Sequence, residues 1–271
     1  MEWLAGLRWL RFERLVNALA RKLWADTGSA APRLIDLPPG TRVLVLAPHP
    51  DDESIGCGGT LARWRRAGRA AKVLFLTDGR LGSRSLRAMP EHDPRRMEAE
   101  QRLIETRRQE AKLALQALAV EEFAFADAPD GELWRHVEPV ARAIARAIEE
   151  DRPDLILLPF LTDRHTDHVA AGACLLSALR QISSTQLGGL TCAGYEVWSP
   201  IQANTVVDIT ETIEQKKAAI RVYRSQLADT DYLDGAVSLN RFRAISNLVP
   251  GTHAEAFYVA PAKAFMDLIV T

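Results

Sequence analysis

The chain is poor in the features that would tie it to a membrane, a nucleic acid or an oxidising compartment. It has only three cysteines, Cys57, Cys174 and Cys192, and no C-x-x-C pair. Such sparse thiols argue against a disulfide framework and a structural zinc knot, and they point to the cytoplasm. No apolar run approaches the roughly 20 residues that cross a bilayer. Charge of one sign is also missing: 34 Lys and Arg face 35 Asp and Glu, for a formal net charge of −1. Only six of the basic residues are lysines, and the arginines are dispersed among acids like those of solvated helix faces. The molecule therefore offers no field to gather nucleic acid or anionic lipid. There are no internal repeats and no low-complexity segments. The glycine spacing of Gly56, Gly58 and Gly59 is not G-x-G-x-x-G, which disfavours dinucleotide binding.

What is present is a soluble composition with a core: 271 residues, 47% apolar and 25% charged. Residues 3–24 place Trp3, Leu4, Leu7, Leu10, Leu15, Leu19 and Leu23 at helical spacing, with arginines on the other face. We read them as an amphipathic helix packed on the domain or on a second copy of the chain in a homo-oligomer. Contact with a membrane surface is the disfavoured alternative, and the interrupting basic residues exclude a secretory signal. Helix and connector (1–40, with the Pro-containing stretch Ala31–Gly40) precede one large domain, 41–271.

From Thr41 onward, short β-rich runs alternate with helical stretches. Arg42–Ala47, Lys72–Leu76, Glu122–Ala126 and Asp154–Leu158 read as strands. Gly59–Ala67, Arg95–Leu118 and Leu133–Glu150 read as the helices between them. Further strands are expected at Gly194–Trp198, Thr205–Ile209 and Ala256–Ala260, with helices at Glu211–Gln226, behind caps Asp208 and Thr210, and at Pro261–Ile269. Alternation of this kind predicts an α/β fold, a mostly parallel sheet with helices on both faces. Gly79–Pro94 has no apolar period and reads as a long loop, a candidate lid that carries specificity.

In open parallel sheets the functional crevice lies beyond the carboxyl ends of the strands. The polar clusters fall there: Pro48-His49-Pro50-Asp51-Asp52-Glu53, then Thr77-Asp78-Gly79, then Asp127 and Asp130-Gly131, then Asp163 to His168. A lone histidine is ordinarily a hydrogen-bonded loop or core residue, but that reading weakens when His and Asp recur at equivalent strand ends. His49 and Asp52 sit three apart at a strand-to-helix turn, and His168 is placed in the first turn of a later helix. Two imidazoles and a carboxylate with an open position form a hydrolytic zinc site. Asp51, next to a ligand, is free to take the proton of a metal-activated water; its bland alternative is a helix N-cap. His165, when protonated, would stabilise an oxyanion and donate to a leaving amine. Asp167 would orient either histidine. Cys57 reads as packing.

PHPDDESIGCGGT (48–60), FLTDG (75–79), RRQEAKLALQAL (107–118) and HTDHVAAG (165–172) resemble the LmbE-like, or PIG-L, N-acetylglucosaminyl de-N-acetylases. The later YEVWSP (195–200), VVDIT (206–210), KKAAIRVYRSQ (216–226) and AEAF (254–257) are similar to bacterial members. The resemblance implies a Rossmann-like fold and an enzyme that removes the N-acetyl group from an amino-sugar conjugate. It implies one zinc ion per chain on His49, Asp52 and His168, although other divalent metals suit the same donors. It further implies Asp51 as general base, His165 as the oxyanion and amine partner supported by Asp167, and Arg107 and Asp130 as sugar-binding residues, with Asp78 on the rim. Two alternatives from other classes use the same residues: a non-haem iron oxygenase, whose ligand set is also two His and one carboxylate, and a non-catalytic sugar-binding module.

Overall fold

Strand β2 (Arg42–Ala47) shows why the core has two halves. Side chains alternate across a strand, so Val43, Val45 and Ala47 enter one apolar cluster while Leu44 and Leu46 enter the other. All five are buried, and the strand is therefore covered on both faces. The computed structural model describes residues 31–270, so the amphipathic segment 3–24 lies outside the described residues.

The remaining elements are, in chain order, β1 (Arg33–Ile35) ahead of β2, then α1 (Asp52–Arg66), β3 (Ala70–Thr77), α2 (Arg84–Arg87), α3 (Pro94–Ala117) and β4 (Glu122–Ala128). After a 3-10 turn at Leu133–Arg135 come α4 (Val137–Asp151), β5 (Leu155–Pro159), α5 (Thr166–Leu179), α6 (Ser184–Gly189), β6 (Thr191–Tyr195) and β7 (Thr205–Asp208). The chain closes with α7 (Ile213–Val222), α8 (Arg224–Leu227), α9 (Tyr232–Ser246), β8 (Ala254–Pro261) and α10 (Ala262–Val270).

The eight strands form one sheet in the order β1-β7-β8-β6-β5-β2-β3-β4. Only β8 runs antiparallel to its neighbours, β6 and β7; the other pairings are parallel. Helices α1, α3 and α7 pack on the face of Val43 and Val45, and α4, α5 and α10 on the face of Leu44 and Leu46. This is the single, mostly parallel α/β domain that the alternation of strands and helices predicts, with the Rossmann-like character that the family resemblance implies. No helix among the described residues is long and apolar enough to cross a membrane.

Several boundaries depart from the sequence reading. The stretch expected to be a plain connector contributes β1, paired with β7 from Arg33↔Thr205 to Ile35↔Val207. Helix α1 begins at Asp52, ahead of the expected Gly59, but it is kinked at Cys57 (φ −140°, ψ 16°), so its second half starts where the apolar period starts. Strand β6 ends at Tyr195 because Trp198 N–H is drawn out of the sheet onto Asp163 (2.9 Å). The cap of α7 is Thr212, not Asp208 or Thr210. The Gly79–Pro94 loop contains the single turn α2, and α9 was not foreseen. Helix α9 buries only Ala236, Asn240 and Ala244, a ridge of small residues four apart that leaves little apolar period to detect.

Candidate functional site

Strand β2 delivers His49 and Asp51 at its carboxyl end, and the chain then turns sharply into α1. The turn is made by Asp51 itself, at φ 131° and ψ −27°. Non-glycine residues hold such a conformation only when the surroundings impose it, and such strain gathers at functional sites. Strand β5 leads into the loop that ends at His165, and His168 stands on the first turn of α5.

Folding brings the three expected ligands together. His49 Nδ1 lies 3.2 Å from Asp52 Oδ2, His168 Nε2 lies 3.2 Å from the same oxygen, and the two ring nitrogens are 3.3 Å apart. Ligands about 2.0–2.1 Å from a tetrahedral zinc are separated by about 3.3 Å, so this triangle has the edge length of one face of the tetrahedron. The donors fit a divalent cation. All three residues are buried.

Each imidazole has a carboxylate behind it, as metal-binding histidines do. His49 Nε2 lies 3.2 Å from Asp167 Oδ2 and 3.2 Å from Asp130 Oδ1. A proton on Nε2 leaves the Nδ1 lone pair facing Asp52 and His168. Asp163 Oδ1 is 3.3 Å from His168 Nδ1 and accepts His165 N–H (2.9 Å), while Asp163 Oδ2 accepts Trp198 N–H (2.9 Å). His49, Asp130 and Asp167 also converge within reach of one ion, as do the three histidines. Asp167, however, is committed to Gly131 N–H (2.7 Å) and Leu133 N–H (3.2 Å), and Asp130 to Leu81 N–H (3.0 Å). These carboxylates support His49 and its loops.

Electrostatics follow the same division. Burial pushes the His168 pKa down, but Asp52 and Asp163 outweigh it and bring it to about 9. His49 is likewise raised despite burial, by Asp130, Asp167 and Asp52. Burial would raise Asp52, yet His168 and His49 hold its carboxyl well below the usual range. Asp130 is also lowered against its burial, by His49 and Arg107. Asp51 behaves in the opposite way. Burial lifts it to about 7, helped by the charges of Asp52 and Glu53 and opposed by Arg107 and His49. Its side chain makes no N-cap hydrogen bond, so the capping alternative fails. His165 is lowered by burial and by the neighbouring His49 and His168. Its Nδ1 accepts Asp167 N–H (3.2 Å), so the neutral ring carries its proton on Nε2.

The other expected residues are placed as follows. Arg107, buried on α3, donates to Gly79 O (2.9 Å) and Pro50 O (2.6 Å) and lies 3.3 Å from Asp51 Oδ2. Asp130 and Arg107 both line the cavity beside the centre, but Asp78 does not. The Asp78 carboxylate receives the Arg80 guanidinium and the N–H groups of Arg80 (3.1 Å) and Asp130 (3.3 Å), so it braces the loops from behind. The Asp167 carboxylate faces the ring of His49, while its main-chain N–H supports the ring of His165. Gly56 and Gly59 serve packing: a Cβ at Gly56 would strike the Tyr195 ring, and one at Gly59 would come within 2.7 Å of Ile209. Asp163 and Glu53 carry functional bonds without having been assigned any role; their place in the polar clusters was the available signal. Tyr223 lies within KKAAIRVYRSQ (216–226), a segment of the resemblance to which no role was attached.

The cavity has a volume of about 740 Å³. It is lined by His49, Asp51, Asp52 and His165 of the polar clusters, by Leu81, Arg84 and Arg87 that follow β3, and by Trp198, Tyr232 and Leu239. Residues of the candidate lid thus line the cavity, and Arg84 N–H donates to Asp229 Oδ2 (2.7 Å), which lines it as well.

The family described as PIG-L: GlcNAc-PI de-N-acetylase matches residues 44–179. The diacetylchitobiose deacetylase of Thermococcus kodakarensis is 30% identical over 205 residues, 69% of this chain and 71% of its own length. The 1D-myo-inositol 2-acetamido-2-deoxy-alpha-D-glucopyranoside deacetylase of Kineococcus radiotolerans is 29% identical, over 87% of this chain and 80% of that protein. The solved structure of N,N'-diacetylchitobiose deacetylase from Pyrococcus horikoshii superposes with a TM-score of 0.68 at 24% identity, covering 83% and 86% of the two chains, a likeness of fold. With half of its length matched and a buried His–Asp centre at the carboxyl ends of its strands, the chain belongs to the PIG-L, or LmbE-like, family.

Proposed function

We propose that the chain is a zinc-dependent hydrolase that removes the N-acetyl group from an N-acetylglucosamine-type conjugate and releases a free amine and acetate. One observation carries this reading: the triangle His49 Nδ1, Asp52 Oδ2 and His168 Nε2 has tetrahedral edge lengths, and Asp51, a carboxyl with a pKa near neutrality, lines the same cavity end. A zinc ion there would polarise the amide carbonyl and lower the pKa of a water to about 7.

The protein's own groups supply the rest. Asp51 is poised to accept the proton of the attacking water, because a base is most useful when its pKa sits near the working pH. His165 presents Nε2–H to the oxygen of the collapsing amide. As a neutral ring it stabilises charge but has no surplus proton, so the proton that leaves with the amine comes from Asp51. Arg107 fixes the Asp51 loop through Pro50 O and Gly79 O, and its edge remains beside the substrate. The cavity exceeds what one sugar ring fills, in keeping with a conjugated substrate. Both relatives above act on N-acetylated amino sugars attached to a second ring, by their names.

The direct test is amine release from a panel of N-acetylglucosamine conjugates: free sugars, glycolipid, nucleotide-sugar, thiol-conjugate and antibiotic acceptors. Asp51→Asn should keep its metal and lose about 10²–10⁴ in turnover. Normal turnover by that variant would remove Asp51 as the base. Absence of amine release across the whole panel by metal-loaded wild type would remove the reaction.

A further inference from the structure

Asp51 cannot hold its turn alone, and the atoms that hold it lead away from the cation donors. Its N–H donates to Glu53 Oε2 at 3.1 Å. The other carboxylate oxygen of Glu53 accepts two hydroxyls, Ser54 Oγ at 2.5 Å and Tyr223 Oη at 2.7 Å. Glu53 is fully buried and Tyr223 is 1% exposed, so water does not compete for these bonds. Tyr223 sits at the break between α7 and α8, 170 residues along the chain from Glu53.

The same helix grips α1 a second time. Lys216, seven residues before Tyr223 and so on the same side of α7, donates to Ile55 O (2.7 Å) and to Glu255 (2.6 Å). Glu255 in turn accepts Gly59 N–H (2.9 Å) and Thr60 N–H (2.7 Å), which open the second half of the kinked α1. Helix α7 thus anchors α1 on both sides of its kink, and the anchor nearer the reaction ends on the backbone of Asp51.

We propose that Glu53 and Tyr223 are positioning residues for the hydrolysis: the buried Tyr223–Glu53 bond holds Asp51 in its left-handed turn and so aims its carboxylate into the cavity. This rests on Asp51 being the base. Tyr223 lies outside the segment matched by the family, so the device joins the carboxyl-terminal part of the chain to the first motif.

The test compares Tyr223→Phe, Glu53→Leu, Glu53→Gln and the control Tyr195→Phe. Tyr195 is equally buried, but its hydroxyl goes to Leu46 O (2.9 Å). In metal-loaded protein acting on whichever conjugate the panel identifies, kcat should fall about tenfold in Tyr223→Phe and about 10²-fold in Glu53→Leu. KM and bound metal should stay near the wild-type values; Glu53→Leu lowers the melting temperature by stranding the Tyr223 and Ser54 hydroxyls, so all variants are assayed well below their midpoints. Glu53→Gln keeps an acceptor for Asp51 N–H and should restore most of kcat, and Tyr195→Phe should match wild type. A crystal structure of Glu53→Leu should show Asp51 relaxed to negative φ, a readout that needs no turnover. Wild-type kcat in Tyr223→Phe and Glu53→Leu, or losses that follow bound metal or unfolding, would overturn the proposal. So would Asp51 unmoved in Glu53→Leu. Failure of the base assignment is seen separately, in Asp51→Asn.

Discussion

A carboxylate three residues after a histidine means little until a second histidine arrives from elsewhere in the chain. His168 does so, and its two nitrogens have separate duties: Nε2 faces Asp52 and His49, and Nδ1 faces Asp163. Removing the first should abolish binding, whereas removing the partner of the second should only weaken it. His168→Ala is expected to contain no stoichiometric metal by elemental analysis, and full occupancy would contradict the ligand set. Asp163→Asn should still bind metal but about 10–100-fold more weakly in a chelator competition, and unchanged affinity would show that Asp163 serves only the loop amides of His165 and Trp198. Of the residues that motif reading put forward, His49, Asp51, Asp52, Asp130 and His165 line the cavity and His168 stands buried against His49 and Asp52, because each ends or follows a strand of one sheet, a placement readable from periodicity. Asp78, expected on the rim, braces the loops from behind, and Asp167, expected to support His165, does so with its N–H while its carboxylate faces His49. Which way a carboxylate turns depends on the amides around it, and those belong to loops whose course no local pattern predicts.

Elements differ in how well their pattern announced them. Strands β2, β3 and β5 and helices α3 and α4 carry apolar periods set by burial and are legible to within a few residues, and the start of α5 is legible from the placement of His168. Helix α9, the short α6 and strand β1 were not, since each has few buried apolar residues. Two anchors between elements can be measured. Asp154 joins the starts of β5 and β2 by accepting Thr41 N–H (2.7 Å), Thr41 Oγ1 (2.9 Å) and Arg42 N–H (3.0 Å), and chiefly the Thr41 amide holds its pKa below the ordinary value. A depressed folded-state pKa gives stability that is complete above the unfolded value, about 3.9, and is lost as pH falls through the folded one. Asp154→Asn should therefore lower the denaturation midpoint at pH 7, with the gap from wild type narrowing below about pH 4; a gap independent of pH would refute the linkage. Lys216 and Glu255 are both fully buried, and removing one partner strands the other. Lys216→Met should cost about 3–5 kcal/mol in denaturant unfolding, whereas Lys217→Met, whose pair with Glu214 is exposed, should leave the midpoint unchanged. Equal losses in the two would show that burial of the pair is immaterial.

Over the whole molecule the two apolar clusters leave no cysteine accessible. Cys57, Cys174 and Cys192 are each 0% exposed, and burial pushes the thiols of Cys174 and Cys192 up to about 12. Native protein should give no rapid colour with a disulfide reagent, and three thiols per chain should appear in denaturant; fast reaction of any one in the native state would mean that its cluster opens. The sequence by itself determined the layered α/β plan, because burial on two faces writes continuous apolar strands between amphipathic helices. It also determined the ligand types, because cation chemistry needs imidazole and carboxylate. Only the tertiary structure decided which atoms of those residues face one another, that Asp51 stands in a strained turn with a pKa near neutrality, and that α9 lines the cavity while α7 is bonded to α1. Those outcomes depend on side-chain contacts, many of them between residues far apart in the chain, whose energies are set by desolvation and hydrogen-bond geometry and leave no periodic trace in the sequence.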